Sequence, residues 1–476
     1  MMSKISKGFI WSSLDRFSVQ GVSFLLSIII ARIVSPESYG LIVMIQVFMS
    51  ICQTFIDGGF ANALIHKQNR SDVDYYTAFI FNMSVAIALY LLLFLLAPFI
   101  ASFYKEPLLI SVTRVVGLNL IFTSLSIVQR TRLTIILDFK TQAKAGLISV
   151  LISGGIGIFC AYRGLEVWAL VVQGLVNSAL TSLILMSFSH WLPKFKFSRN
   201  SFKDLFNFGS KLLLTNLITN IYLNIYNLVI GKKFSSASLA YYNRAFTLTQ
   251  IPSTNIEMVL SRIIYPIECE LQDNKEELKN AYFKYLHFSN FIILPLLFLL
   301  IAVSEPLVRV VLTDKWLPVV PYLILFSLNF TLYPWLDQGV QLLNVLGQTG
   351  INLKTQILKR IVSFVILVCT IPFGIKTICI GILINTVIEL FITLVTDKYV
   401  FGISVIMQIK SQLDLFVICI LAAIGGYFMT LQFVNIYFQL IFGCLVGLLS
   451  YFILSFLFKV AEIKIIQRKI SKIWHF

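Results

Sequence analysis

The chain has 476 residues, of which 58% are hydrophobic and only 13% are charged, and it carries a formal net charge of +16. Soluble proteins contain about 25% charged residues, so this composition excludes a soluble globular protein. No hydrophilic stretch reaches the roughly 50 residues that a folded soluble domain needs. The sequence therefore predicts a polytopic integral membrane protein.

Apolar stretches long enough to cross a bilayer recur about fourteen times along the chain. The first follows Lys4 and Lys7 but lacks a small-residue cleavage site, so we interpret it as a retained span rather than a signal peptide. A helix end is predicted where Gly58 and Gly59 follow Asp57. We expect an all-α fold whose spans cover residues 10–34, 39–61, 77–102, 107–128, 144–162, 166–188, 207–231, 236–261, 285–304, 317–344, 355–373, 377–396, 412–430 and 434–458.

The connectors between these spans alternate in charge. One side of the membrane collects 26 Lys and Arg residues and the other collects 8, while the remaining 4 lie within spans. Cytoplasmic connectors carry the excess of Lys and Arg, which predicts a multi-pass membrane protein with both termini in the cytoplasm. This distribution accounts for the basic charge without a nucleic-acid partner.

The chain also repeats itself after 200 residues. The segment ARIVSPESYGL, from Ala31 to Leu41, aligns with GKKFSSASLAY, from Gly231 to Tyr241, and each forms a short turn between two long spans. Repeats that start on the same side of the membrane are related by a pseudo-two-fold axis along the membrane normal. The predicted domains are an N-terminal six-helix lobe, 1–200, a C-terminal six-helix lobe, 201–400, and a terminal helix pair with a basic cytoplasmic tail, 401–476.

No motif in the sequence predicts an enzyme. The four histidines are scattered, HExxH is absent, and no Gly-rich loop precedes a Lys-Ser or Lys-Thr pair. The seven cysteines form no CxxC pair and lie mostly in apolar runs, which is typical of small buried hydrophobic residues rather than metal ligands. We expect no catalytic residue, no resident metal and no cofactor, and a transport function that is passive or coupled to protons or sodium ions.

Four basic residues are assigned to predicted spans: Arg16, Arg114, Lys211 and Arg244. Basic residues near other span ends, such as Lys359 and Arg360, are counted with the adjoining connectors. A charged side chain at the centre of a membrane helix costs about 3 kcal/mol or more, so each of them needs a watery cavity, an ion pair or a route to the surface. Arg114 and Lys211 lie close enough to span ends to snorkel. Arg16 and Arg244, one in each predicted lobe, are the stronger candidates for cavity cations that bind an anion.

Polar and acidic residues within the apolar runs are further candidates. Asn216, Asn220, Asn224 and Asn227 recur at spacings of 4, 4 and 3, forming one helix stripe, and Asn243 lies beside Arg244. The stripe either bonds neighbouring helices or forms an aqueous face that binds sugar hydroxyls. The acidic residues are Glu257, Asp337 and Glu389. Each either pairs with a basic residue or binds a proton or sodium ion on a transport path.

Six segments in the first eight predicted spans carry a family resemblance. They are ARIVSPESYGL at Ala31, DGGFANALI at Asp57, VQRTRL at Val128, GLEVWALVVQ at Gly164, LFNFGSKLLL at Leu205 and VIGKKFSSASLAYYNRA at Val229. The chain resembles the polysaccharide transporter branch of the multidrug/oligosaccharidyl-lipid/polysaccharide exporter superfamily, especially its WzxC-like lipopolysaccharide and exopolysaccharide flippases. Glu166 replaces a glycine that is more usual in this family.

The resemblance implies two helical lobes around a cavity that opens alternately to each side of the membrane. It also implies transport of undecaprenyl-diphosphate-linked oligosaccharide to the outer leaflet of the bacterial cytoplasmic (inner) membrane, with the prenyl chain in membrane lipid. A glycan polymerase and other assembly proteins are the partners that it implies. Related lipid II flippases hold the diphosphate with cavity arginines, and Arg16 and Arg244 are similar to these by position.

Two alternatives stay open. A cation-coupled multidrug exporter of the same superfamily would carry acidic groups in its cavity, whereas a membrane glycan polymerase or ligase would carry a long outer loop with paired catalytic residues. The excess of basic residues within spans and the short predicted outer connectors favour the flippase.

Overall fold

A computed structural model describes the backbone of residues 2–189 and 191–463 and, within these ranges, the side chains from residue 18 onward. All regular elements in these ranges are helices, which confirms the all-α fold predicted from hydropathy. The chain divides into two compact units, Met1–Ala240 and Tyr241–Phe476, which we call unit 1 and unit 2.

The described helices follow one another with short connections. Unit 1 contains α1 (Met2–Ile33), α2 (Pro36–Asp57), α3 (Phe60–His66), α4 (Asp72–Tyr104), α5 (Leu109–Val116), α6 (Leu118–Ile135), α7 (Phe139–Tyr162), α8 (Val167–Ser189) and α9 (Arg199–Lys233). The helix α10 (Ser236–Glu270) begins in unit 1 and continues into unit 2. Unit 2 then contains α11 (Lys275–Ala302), α12 (Ser304–Leu312), α13 (Val320–Phe330), α14 (Tyr333–Val345), α15 (Thr349–Thr370), α16 (Ile375–Phe401), α17 (Val405–Lys410), α18 (Leu413–Leu431) and α19 (Ile436–Leu457).

Twelve helical segments of the described chain are long and apolar enough to cross a membrane. Two other long helices coincide with the remaining predicted spans: α1, whose described apolar part is Ser18–Ile33, and α10, whose 35 residues include two prolines. This arrangement is consistent with about fourteen membrane helices, the number expected from hydropathy. The chain is a multi-pass membrane protein.

The break between α2 and α3 allows the backbone there to contact the backbone of α9 directly, within unit 1. Gly58 (φ 48°) caps α2 in the left-handed conformation and Gly59 (φ 72°) precedes α3, which confirms the predicted helix end. A Cβ atom on Gly59 would lie 2.5 Å from the backbone oxygen of Gly209 in α9. Since only glycine fits both this contact and this φ, the break fixes where α9 packs.

Glu166 joins two turns of unit 1. Its backbone has a φ of 46°, a left-handed conformation that favours the glycine more usual at this position. Its Oε2 accepts hydrogen bonds from the Ser35 N–H at 3.0 Å, the Ser35 hydroxyl at 2.8 Å and the Ser38 hydroxyl at 3.0 Å. A carboxylate at a helix N-terminus is stabilised by the helix dipole as well as by these bonds. Glu166 is therefore a cap for α2 that the turn between α7 and α8 provides.

The last two long helices, α18 and α19, form a tight pair inside unit 2. A Cβ atom on Gly426 would lie 3.0 Å from the backbone oxygen of Gly443, so the two helices meet at small residues. The Tyr451 hydroxyl of α19 donates to the Phe291 carbonyl of α11 at 2.7 Å. These contacts attach the pair to the rest of unit 2, while the predicted domain boundaries at residues 200 and 400 stay a prediction.

The backbone of unit 2 repeats features of unit 1. Leu137 and Gly347, 210 residues apart, both have positive φ, at 60° and 68°. Gly164 and Gly374, also 210 residues apart, have φ of 75° and 99°. Two helix ends with positive φ thus recur at a spacing of 210 residues, which is ten more than the spacing of the aligned sequence segments, and the internal repeat stays a prediction.

We expect Glu166→Ala to destabilise the protein by about 1 kcal/mol, because the variant loses the α2 cap while the strain of the left-handed backbone is unchanged. Glu166→Gly should be less destabilising by about 1 kcal/mol, since glycine adopts this φ freely. Thermal unfolding of the purified protein in detergent measures both effects. The matched control is Glu270→Ala at an exposed position. Wild-type stability in Glu166→Ala would contradict the capping role.

Candidate functional site

A cavity of about 590 Å³ lies in unit 2 among α10, α11 and α14. The residues that α10 and α14 contribute follow helical spacing, so each helix presents one face to the cavity. The polar and aromatic lining residues are Thr254, Glu257, Ser261, Arg262, Tyr265, Tyr285, Asp337, Gln341 and Asn344. Hydroxyl, amide, carboxyl, guanidinium and aromatic groups therefore share one space within the membrane helices.

Two of the predicted acidic residues, Glu257 and Asp337, come together in this cavity. Their carboxyl groups interact electrostatically, and Glu257 is only 4% exposed. Within the described chain, neither carboxylate oxygen of Glu257 has a hydrogen-bond partner. Two ionised carboxylates that share a buried site repel each other, so a proton or another cation between them stabilises the pair.

Arg262 is the only cation among the described residues that line the cavity. Its side chain is exposed, and its Nη2 approaches the Met258 sulfur at 3.9 Å. We did not select Arg262 from the sequence because it follows the predicted eighth span and was counted with the basic connector. In the structure α10 extends to Glu270, so Arg262 lies within a helix.

Glu268 supports the cavity wall from behind. Its carboxylate is fully buried and accepts hydrogen bonds from Gln338 at 2.5 Å and from Gln341 at 2.6 Å. Such charge-assisted bonds are stronger than those between neutral groups, so they fix the face of α14 that carries Asp337. No sequence pattern indicates this role for Glu268, because the residue lies beyond the apolar run of its helix.

Glu389, the third predicted acidic residue, lies on α16 and accepts a hydrogen bond from Asn385 at 2.8 Å. Lys359 of α15 is 3% exposed and interacts electrostatically with Glu389, Asp397 and Asp337. Glu389 therefore belongs to the same group of charges as the carboxyl pair, although it does not line the cavity. Sequence analysis missed Lys359 because it was assigned to a cytoplasmic connector.

The basic residues predicted within spans have varied surroundings. The buried Arg244 guanidinium lies 5.4 Å from the ring centroid of Trp316, and that of Arg114 lies 4.3 Å from the ring centroid of Phe94. Cation–π contacts of this kind stabilise a partly desolvated arginine. Lys211 is exposed, and the Arg16 side chain lies outside the described residues. The roles of these four residues as cavity cations stay a prediction.

Two asparagines of the predicted stripe bond α9 to α2 in unit 1. The Asn220 amide donates to the Ser50 carbonyl at 2.8 Å and to the Thr54 hydroxyl at 2.7 Å. The Asn224 amide donates to the Ser50 hydroxyl at 3.2 Å and, within α9, to the Asn220 Oδ1 at 2.6 Å. These contacts correspond to the helix-bonding interpretation of the stripe.

The other asparagines lack such interhelical bonds in the described chain. Asn216 is exposed, and the buried Oδ1 of Asn227 has no hydrogen-bond partner among the described residues. Asn243 is half-buried beside Arg244 in α10. Their predicted contact with sugar hydroxyls stays a prediction.

We expect Asn220→Leu to lower the stability of the protein by about 1 kcal/mol, the usual contribution of interhelical hydrogen bonds in membrane proteins. Asn216→Leu, on the same stripe but exposed, is the matched control and should change stability by less than about 0.5 kcal/mol. Thermal unfolding in detergent provides the comparison. Equal destabilisation by both substitutions would show that the bonds to α2 are not the cause.

Comparison with known proteins agrees with this architecture. The polysaccharide biosynthesis protein family matches residues 29–321, which is more than half of the chain. The lipopolysaccharide biosynthesis protein WzxC of Escherichia coli (strain K12) is 24% identical over 68% of this chain and 66% of WzxC. The teichuronic acid biosynthesis protein TuaB of Bacillus subtilis (strain 168) is 24% identical over 57% of this chain and 56% of TuaB. The chain thus spans less than two thirds of either relative in these matches.

A solved structure of the lipid II flippase MurJ, in an inward closed conformation, is similar to this chain. The TM-score is 0.77 at 15% sequence identity, and the match covers 95% of this chain and 100% of the MurJ chain. At this identity the likeness shows a shared fold. By the family match and this fold, the chain belongs to the polysaccharide biosynthesis protein family.

Proposed function

We propose that the protein flips a lipid-linked oligosaccharide across the bacterial cytoplasmic membrane by alternating access. The substrate is a repeat unit of O-antigen, capsule or exopolysaccharide on undecaprenyl diphosphate. The observation that carries the proposal is a polar cavity among the membrane helices of a polysaccharide biosynthesis protein. Arginine binds phosphate oxygens, and the hydroxyl, amide and carboxyl groups of the lining suit sugar hydroxyls.

The relatives support this proposal by what their names state. WzxC and TuaB are named for the biosynthesis of lipopolysaccharide and teichuronic acid, and MurJ is named as a flippase of lipid II. Translocation makes and breaks no covalent bond, so the protein would act as a transporter rather than an enzyme. It would have both termini in the cytoplasm and pass its product to a glycan polymerase and other assembly proteins.

In this proposal Arg16 and Arg244 bind the diphosphate during transport, with Arg114 and Lys211 as secondary cations along the path. Arg244 is not one of the residues that line the cavity of unit 2. A cation in a site of low dielectric stabilises an anion more strongly than it does in water. The prenyl chain remains in membrane lipid, where its apolar surface costs nothing to solvate. Asn216, Asn227 and Asn243 would contact sugar hydroxyls.

We expect Arg16→Ala and Arg244→Ala each to reduce surface glycan at least tenfold in a null strain, because a lost charge-assisted hydrogen bond costs about 1.5–3 kcal/mol. Membrane insertion, measured by immunoblotting of the membrane fraction, should be unchanged. The matched control is Arg309→Ala, an exposed arginine paired with Glu305. Full glycan export by both variants would contradict the proposed role of these arginines.

We further propose that Glu257, Asp337 and Glu389 couple transport to a proton or sodium ion. The Glu257–Asp337 pair lines the cavity and requires a bound cation or proton to be stable. It connects α10 to α14, so its occupancy changes the attraction between two helices of the cavity wall. A coupling ion that enters or leaves the pair therefore favours one packing of these helices over another.

We expect Asp337→Asn to reduce glycan export several-fold and to make the residual export insensitive to a protonophore, because an amide cannot take up the coupling proton. Export in cells with and without a collapsed proton gradient is the measurement. Asp314→Asn, at a highly exposed position, is the matched control. If the Asp337→Asn variant exports glycan at the wild-type level and its export still depends on the proton gradient, this carboxyl group is excluded from coupling.

The carboxyl pair also favours a second candidate, the cation-coupled multidrug exporter. Acidic groups in a cavity attract cationic drugs, whereas Arg262 and the other basic residues would repel them. Drug susceptibility of the deletion strain separates the two functions. Increased susceptibility with normal surface glycan would identify an exporter, and accumulation of a glycolipid in the cytoplasmic leaflet would identify a flippase.

A further inference from the structure

Lys359 is a buried cation among the membrane helices of unit 2. It is 3% exposed, and its Nζ donates a hydrogen bond to the Thr393 hydroxyl at 2.8 Å. That hydroxyl donates in turn to the Glu389 carbonyl of α16 at 2.8 Å. The ammonium group is thereby held at a fixed position between α15 and α16, away from solvent.

The groups around Lys359 are mainly acidic. It interacts with Glu389 and Asp397 from α16 and with Asp337 from α14, while Arg360 is the like charge on its own helix. A Cβ atom on Gly339 would lie 3.4 Å from an Asp397 carboxylate oxygen, so α14 approaches α16 closely here. One ammonium group is therefore surrounded by carboxyl groups from two packed helices.

Lys359 is not paired directly with any of these acids. Among the described residues no carboxylate oxygen lies within 4.0 Å of its Nζ, so its charge is shared. Asp397 is fully buried, and its Oδ1 has no hydrogen-bond partner in the described chain, as is also true of the Asn385 Oδ1. Carboxylate, amide and hydroxyl oxygens are the ligands that hard metal cations prefer. Without the lysine, these oxygens would suit a monovalent metal cation.

We propose that the Lys359 ammonium group permanently supplies, beside Thr393, the positive charge that a bound sodium ion would otherwise supply to Glu389 and Asp397, so that the protein carries a built-in cation there. The proposal rests on the proposed coupling function, since it identifies the coupling ion. With this position filled permanently, sodium has no binding site at these acids. The exchangeable ion is then a proton, and its acceptor is the Glu257–Asp337 pair next to Lys359.

Sodium binding to the purified full-length protein tests the proposal without a transport assay. Unfolding temperature and ²²Na⁺ binding are measured in sodium chloride and in choline chloride at equal ionic strength. Wild type should show the same unfolding temperature in both salts and no saturable ²²Na⁺ binding. Lys359→Ala should unfold several degrees lower in choline, recover with increasing sodium, and bind ²²Na⁺ saturably, because the vacated position exposes uncompensated carboxyl groups.

Lys354→Ala, an exposed lysine of the same helix, is the matched control and should behave as wild type. Saturable sodium binding by wild type would overturn the proposal, and this measurement does not depend on any variant folding. Folded Lys359→Ala that binds no sodium would overturn it as well. Failure of the proposed flippase function would be distinguishable from failure of this proposal. Sodium binding is measured on the purified protein and does not depend on glycan export.

Discussion

A carboxylate buried among membrane helices is stable only when a proton, a cation or several hydrogen-bond donors accompany it. Much of unit 2 follows from this requirement. Glu257 meets Asp337, and Glu268 lies between the amides of Gln338 and Gln341. Asp397 accepts a hydrogen bond from the buried Tyr282 hydroxyl at 3.2 Å, and Lys359 lies among three of the acids. Burying any of these groups without a partner would cost free energy. The partners therefore hold α10, α11, α14, α15 and α16 in register.

Unit 1 holds its helices together with mainly neutral groups. Asn220 bonds α9 to α2, and Gly59 lets the backbone of α9 approach the break after α2. Its carboxylate contacts lie at turns and helix ends rather than among the helix interiors. Glu166 accepts hydrogen bonds at the start of α2, and the buried Asp74 pairs with Lys67 at 2.8 Å at the start of α4. The two units share two helix ends with positive φ but differ in the chemistry of their interiors. Neutral contacts keep their strength when pH or ion gradients change, whereas the ionisable groups of unit 2 respond to both.

Hydropathy predicts the membrane helices well because the transfer free energies of about twenty residues add up in each span. Glycine pairs and acids within apolar runs are equally visible, which is why Gly58, Glu257 and Asp337 could be selected from the sequence. Glu268 could not, because α10 extends beyond its apolar run and that end looks like an exposed connector. Lys359 lies near the start of its predicted span beside Arg360, where basic residues are typical of the cytoplasmic membrane surface. The partner of Glu166 was hidden for another reason: Ser35 is 131 residues away in sequence, and no local spacing reports a contact of that range.

A cavity that contains both a carboxyl pair and an arginine can link the movement of a cation to that of an anion. A bound proton removes one negative charge from the wall that faces the substrate, and at an effective dielectric constant of about 20 a unit charge about 10 Å away changes the energy of a phosphate charge by about 1.7 kcal/mol. In the proposed transport cycle, protonation of Glu257 or Asp337 would weaken the repulsion between the cavity wall and an anionic substrate, and deprotonation would restore it. Lys359 interacts electrostatically with Asp337 in both states, so the difference between the two states is the charge of one proton.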